Sequence, residues 1–270
     1  MPARVPLFDR RCAHSPIQDK ASTADSGYFR FAGGVILDLE YKQILTGDGS
    51  PTLSIAPTFE HMHAIEGAFT ETQYIYQPTV EKAFNTVSKP VFLSLGLGLG
   101  YNELLIAFES LRHGRIPELI ASYESVVPLK EAFESWLMND LVPLTPVYDQ
   151  ITEMYAEKYD REPVLAKSLL LDLLQENKLR LLGPVEKEVL SPSHAILFDA
   201  FSTKTSPELW TPEFLNGFFG SAAANPCFMS TYACNGELKR ALKNNAFILD
   251  IQKGFGMKRE STFASKSAPQ

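Results

Sequence analysis

Apolar and polar positions change rhythm several times along the chain, and each change marks an element. Residues 1 to about 30 are polar and mixed, are interrupted by Pro2, Pro6 and Pro16, and follow neither helical nor strand period, which predicts a mobile arm over 1–28. From Phe29, β-branched and aromatic residues broken by Gly33-Gly34 and by the turn Gly47-Asp48-Gly49-Ser50 predict a small antiparallel meander, the start of a β-rich subdomain over 29–88. Between His61 and Phe84 the apolar spacing suits a helix as far as Pro78, whose ring is incompatible with a helix interior.

The clearest pattern begins at residue 91, where VFLSL is an apolar strand, LGLGLG a glycine turn, and YNELLIAFESLR a helix with Leu104, Leu105, Ala107 and Phe108 inward. A second strand over Leu119–Tyr123 ends at Glu124 and leads into the helix PLKEAFESWL, so strand and helix alternate as in a doubly wound α/β sheet. Residues 140–182, rich in charge and Leu, predict helical insertions before a short strand. HAILFDAF, residues 194–201, is a third strand ending in an acid; CFMSTYA and AFILDIQKGFG follow as late strands around the helix GELKRALKN. A Rossmann-like domain over 89–264 and a frayed tail over 265–270 complete the expected organisation.

Composition narrows the class. With 45% hydrophobic and 21% charged residues in 270, the chain can bury a full core, and disorder as the overall state is excluded. Three cysteines, Cys12, Cys227 and Cys234, make no CxxC and exclude a disulfide scaffold. No apolar run approaches the length of a membrane span, and no h-region follows the basic start, so a cytoplasmic protein without membrane association is expected. A net charge of −7 argues against indiscriminate coating of nucleic acid, and any such contact must be a local patch. Lys239, Arg240, Lys253, Lys258 and Arg259 concentrate positive charge late in the chain; a phosphate-contacting patch and an ordinary solvated face explain them equally well.

Three features carry chemistry. Gly96, Gly98 and Gly100 alternate directly after a strand, where a sharp turn lets a ligand approach the backbone; the spacing is not GxGxxG, and the same glycines serve a plain packing turn. Glu124 ends the neighbouring strand, where an acid accepts hydrogen bonds from ribose hydroxyls or, alternatively, is a helix N-terminal charge. Asp199 ends a third apolar strand at the same carboxyl edge; it can hold a substrate amine, or cap a turn. His61 and His63 lack a third ligand at metal spacing, so no metal is expected.

At these residues the chain resembles a known family, the methyltransferase component of MnmC-type tRNA 5-methylaminomethyl-2-thiouridine biosynthesis, in its stand-alone form. The resemblance runs from about Thr46 to Ala264 and rests on TGDGSPTL, HMHAIEGAFTETQYIY, LGLGLGYNELL, YESVVPL, and above all LFDAFSTKTSPELWTPEFL and TYACNGELKRALKNNAFILDIQKGFGMKRE. It implies a class I S-adenosylmethionine methyltransferase fold, with S-adenosylmethionine as cofactor and tRNA as substrate. Gly96, Gly98, Gly100 and Asn102 would then hold the cofactor with Glu124 at its ribose. Asp199, also beside the cofactor, and Phe201 would act at the substrate amine, and Lys204, Lys239, Arg240, Lys258 and Arg259 would meet RNA.

The family's bifunctional members carry a flavin oxidase domain afterwards; a chain ending at Gln270 is expected to lack it and to work with a separate flavin oxidase or another tRNA-modification protein. Two positions depart from the family pattern: Ser94 and Leu95 stand where an acid is usual, and Gly183-Pro184 where Gly-Asp is usual. An aminopropyltransferase of spermidine synthase type and a catalytically inactive binding module are the competing expectations.

Overall fold

The computed structural model describes residues 26–27, 39–185 and 191–267. The arm predicted over 1–28 lies outside the described residues except at its end, where Ser26–Gly27 forms a two-residue strand, β1. That strand pairs antiparallel with β2 (Tyr41–Leu45), so the arm's last residues belong to a sheet. β3 (Pro51–Ile55) and β4 (Glu60–His61) complete a four-stranded meander in the order β1-β2-β3-β4.

Pro78 does not end the following helical region. Helix α1 (Ala68–Ile75) closes at Tyr76, and α2 (Gln77–Thr86) starts from that same residue with Pro78 in its first turn. The first turn has amide groups with no intrahelical acceptor, so a proline's missing N–H costs nothing there.

The larger sheet has seven strands in the order β10-β11-β9-β8-β5-β6-β7. The centre of its parallel part is β5 (Val91–Leu95), parallel to both β6 (Leu119–Tyr123) and β8 (Ser193–Phe198). β7 (Leu179–Leu182) and β9 (Ala223–Thr231) extend the parallel part on either side. The hairpin of β10 (Ile248–Lys253) and β11 (Glu260–Lys266) adds an antiparallel edge beyond β9. β11 is a strand that the sequence pattern did not separate from the late basic segment. It also corrects the tail boundary, because Ser265 pairs with Ile248 and Phe228, and Lys266 with Cys227.

Helices cover both faces. α3 (Tyr101–His113), α4 (Val127–Leu137), α5 (Thr145–Tyr159) and α6 (Pro163–Gln175) pack with α1 and α2 on one core; α5 and α6 are the expected insertions. α7 (Pro212–Ala222) and α8 (Gly236–Asn244) pack on the other. The alternation of a strand produces this division: Phe92 faces the first core, Leu93 and Leu95 the second. Among the described residues no helix is long and apolar enough to cross a membrane.

Strand order reverses at β5, since β6 follows it on one side and β8 on the other. In open α/β sheets such a switch point opens a crevice outside the carboxyl ends of the strands. The ends of β5, β6 and β8 therefore bring together three segments distant in sequence.

Candidate active site

That crevice is a cavity of about 470 Å³, within the range of small-molecule sites, and Gly96, Gly98, Asn102, Glu124 and Asp199 all line it. Gly96 has φ +98, and a Cβ there would lie 2.4 Å from the Asp199 carbonyl oxygen, so only glycine lets the ends of β5 and β8 come this close. Gly98 donates its N–H to Glu124 Oε2 at 2.8 Å, and Val126 donates to Oε1 at 2.8 Å. Glu124 thus fastens the glycine turn to the start of α4. Burial pushes its carboxyl up, and these backbone bonds oppose the shift.

Gly100 has a different role from the expected one. It is outside the cavity lining, at the N-terminal cap of α3 with φ +75, and a Cβ there would meet the Phe133 ring at 2.2 Å. Its absent side chain lets α3 pack on α4.

Asp199 follows β8 and is pinned by its N–H to the Leu95 carbonyl at 2.8 Å. Asn102, one residue into α3, donates from Nδ2 to Asp199 Oδ2 at 3.1 Å, while its buried Oδ1 has no partner. Tyr76, at the junction of α1 and α2, stands beside the same carboxylate. Enclosure pushes the Asp199 carboxyl up to about 7; nearby Glu71 adds to the rise, and Tyr76, Lys258 and Asn102 oppose it.

The segment after Asp199 is held from both sides. Trp210 Nε1 donates to the Phe201 carbonyl at 2.8 Å, and Tyr232 OH donates to the Ala200 carbonyl at 2.7 Å. Glu60 of β4 accepts from the Ser202 hydroxyl at 3.0 Å and from the Thr205 hydroxyl, so the small sheet grips this loop. Phe201 lines the cavity beside Asp199. Pro184, at one of the two departing positions, lines it with Val185.

The basic residues separate. Lys258 does not project as an RNA-facing cation: it lines the cavity, pairs with buried Glu71 at 2.8 Å and lies 3.8 Å over the Tyr232 ring. Lys239 pairs with Glu260 at 3.4 Å and Arg240 with Glu237, so both are partly neutralised. Lys204 and Arg259 are exposed and, among the described residues, make no ion pair.

Several residues of the site were not singled out in the sequence. Glu71, Tyr76 and Tyr232 come from elements whose burial pattern did not reveal that they converge. Glu103 is fully buried on α3 and accepts from the Ser122 hydroxyl at 2.6 Å. Burial pushes its carboxyl up to about 7. Ser94 and Ser122 are register partners on β5 and β6, and both are buried. A polar residue within each apolar strand was the available signal. His63 bonds Thr52 Oγ1 through Nδ1 at 3.0 Å, and burial pulls its imidazole down to about 4.

Residues 147–267 match the family model described as S-adenosyl-L-methionine-dependent methyltransferase. The chain is similar to the tRNA 5-methylaminomethyl-2-thiouridine biosynthesis bifunctional protein MnmC of Hahella chejuensis, 38% identical over 68 residues, which cover 25% of this chain and 11% of that one. With the protein of the same name from Campylobacter hominis it is 24% identical over 199 residues, 71% of this chain and 28% of that one. The chain therefore spans less than a third of the length of these two relatives. Among solved structures, MNMC2 from Aquifex aeolicus matches with a TM-score of 0.60 at 24% identity, covering 85% of this chain and 71% of that one.

Proposed function

We propose that the chain, whose residues 147–267 match the S-adenosyl-L-methionine-dependent methyltransferase family model, methylates the aminomethyl nitrogen of a modified wobble uridine in tRNA, converting 5-aminomethyl-2-thiouridine to 5-methylaminomethyl-2-thiouridine. The observation that carries this reading is Asp199, an acid held by Asn102 in the wall of the cavity that the glycine turn opens. A separate flavin oxidase, or another tRNA-modification protein, would supply the primary amine.

The residues fit the cofactor. Gly96 and Gly98 line the cavity without side chains, Asn102 Oδ1 is a buried acceptor without a partner, and the cavity is large enough for a nucleoside with an amino-acid tail. Gly96, Gly98 and Asn102 would hold the methionine part and Glu124 the ribose hydroxyls, since each carboxylate oxygen retains acceptor capacity beyond its backbone bond. Pro184 and Val185 would give the base an apolar wall. When bound, S-adenosyl-L-methionine supplies an electrophilic methyl group and a neutral thioether as leaving group.

Asp199 acts on the nucleophile. Its carboxylate would accept a hydrogen bond from the aminomethyl nitrogen and aim the lone pair at the methyl group that the cofactor would supply. The methylated nitrogen would then carry the positive charge and shed a proton to water. Asn102 fixes the orientation of the carboxylate, and the loop held by Glu60 and Trp210 keeps Phe201 beside it.

Transfer of labelled methyl from the cofactor to tRNA bearing 5-aminomethyl-2-thiouridine tests the reading. Asp199→Ala abolishes transfer while leaving calorimetric cofactor affinity within a few-fold, and Glu124→Ala weakens that affinity. Retained turnover in the Asp199 variant overturns its assignment. Product formed only with the decarboxylated cofactor assigns aminopropyl transfer instead, and no binding of either cofactor assigns an inactive module.

A further inference from the structure

An amine attacks a methyl carbon only with a free lone pair, yet a primary alkylamine in neutral water carries a proton. The acids around the cavity aggravate this, because Asp199 and Glu71 both favour an ammonium ion near them. One cation opposes them from the cavity wall. Lys258 Nζ is 2.8 Å from Glu71 Oε1 and 3.8 Å from the centroid of the Tyr232 ring.

The backbone holds Lys258 there. Gly254 N–H donates to the Arg259 carbonyl at 3.1 Å, closing the β10–β11 hairpin, and a Cβ on Gly254 would come within 2.4 Å of the Lys258 carbonyl oxygen. Tyr74 OH donates to the Lys253 carbonyl at 2.8 Å and its ring lies 6.1 Å from that of Phe255, docking the hairpin on α1, the helix that also carries Glu71. Glu71 is itself fixed by the Ala64 N–H at 2.7 Å.

We propose that Lys258 is an electrostatic positioning residue for the methyl transfer, its ammonium opposing a second cation in the cavity so that the substrate amine is held neutral while Asp199 orients it. This inference rests on the methyl-transfer reading above. The amine's proton leaves to water before the N–C bond forms, and no other co-reactant is required. The groups that act on this balance come from every side: Glu71 from α1, Tyr76 from the α1–α2 junction, Asn102 and Glu103 from α3, Asp199 after β8, Tyr232 after β9, and His63 from the segment between β4 and α1. Lys258 opposes the rise of the Asp199 carboxyl and adds to the fall of the His63 imidazole, which places its charge within reach of both.

The test is the pH profile of kcat/KM for Lys258→Met and Lys258→Arg against wild type. In Lys258→Met the acidic limb moves up by about one pH unit and the rate recovers in alkali, whereas Lys258→Arg keeps the wild-type limb. An unmoved limb, or a loss equal at every pH, overturns the proposal. A second measurement needs no substrate: carboxyl-carbon NMR of aspartate-labelled protein, with Asp199→Asn as the assignment control. There the Asp199 midpoint rises in Lys258→Met, and an unchanged midpoint overturns the proposal. Wild type that transfers no methyl to the tRNA defeats the functional reading, and the NMR midpoint then decides whether Lys258 sets the field in the cavity.

Discussion

Asn102 Nδ2 reaches Asp199 Oδ2 across 3.1 Å, joining the first turn of α3 to the end of β8. The two residues are 97 apart in sequence and meet because β5 and β8 are adjacent parallel strands. Removing the donor leaves an enclosed carboxylate with one fewer hydrogen bond, a loss typically worth about 1.5–3 kcal/mol for a charged partner. Asn102→Ala is expected to slow methyl transfer about tenfold or more and to raise the Asp199 carboxyl further. Steady-state rates measured across pH check both effects.

The neighbouring glycines answer differently to the same substitution. Gly96→Ala sets a Cβ 2.4 Å from a backbone oxygen at φ +98, and is expected to cost more than about 2 kcal/mol in urea unfolding. Gly98→Ala has φ +52 and its nearest neighbour is Met62 Sδ at 3.7 Å, so a cost of about 1 kcal/mol is expected. Equal losses in the two variants would contradict the close approach of β5 and β8.

Acid–base linkage gives a third expectation. The carboxyls of Asp199 and Glu103 are both pushed up to about 7 in the folded chain, above their ordinary values of 3.8 and 4.5. Between about pH 4 and 7 the folded form therefore binds more protons than the unfolded form. The stability these groups contribute is fully present below their unfolded values and is lost as pH rises through about 7. The urea midpoint of wild type is expected to fall over that window relative to Asp199→Asn and Glu103→Gln, whose profiles are flatter.

The surface cations divide by pairing. Arg259→Glu and Lys204→Glu are expected to weaken tRNA binding and to reduce its salt dependence by about one ion each. Lys239→Gln and Arg240→Gln, whose partners are Glu260 and Glu237, are expected to change it less. Filter binding at several salt concentrations separates the two classes.

Much of the site is legible in the sequence. Gly96, Glu124 and Asp199 each follow a run of apolar residues long enough for one buried strand, and in an alternating strand–helix chain such ends fall on the same edge of the sheet. Gly100 shares the motif but serves packing. The difference lies in which atoms face it, Phe133 rather than the cavity, and spacing along the chain carries no information about that.

By itself the sequence determined the alternation of elements, the β5-turn-α3 unit and the acids at the strand ends, because these follow from local periodicity and from the short reach of the backbone. The tertiary structure decided the company those acids keep. Glu71, Tyr76 and Lys258 converge on Asp199 only once α1, the start of α2 and the β10–β11 hairpin are docked around the switch point. Side chains distant in sequence interact through space, and their electrostatic effect depends on enclosure and distance. The same lysine that reads as a surface charge in the chain is therefore, once folded, a charge in the wall of the cavity.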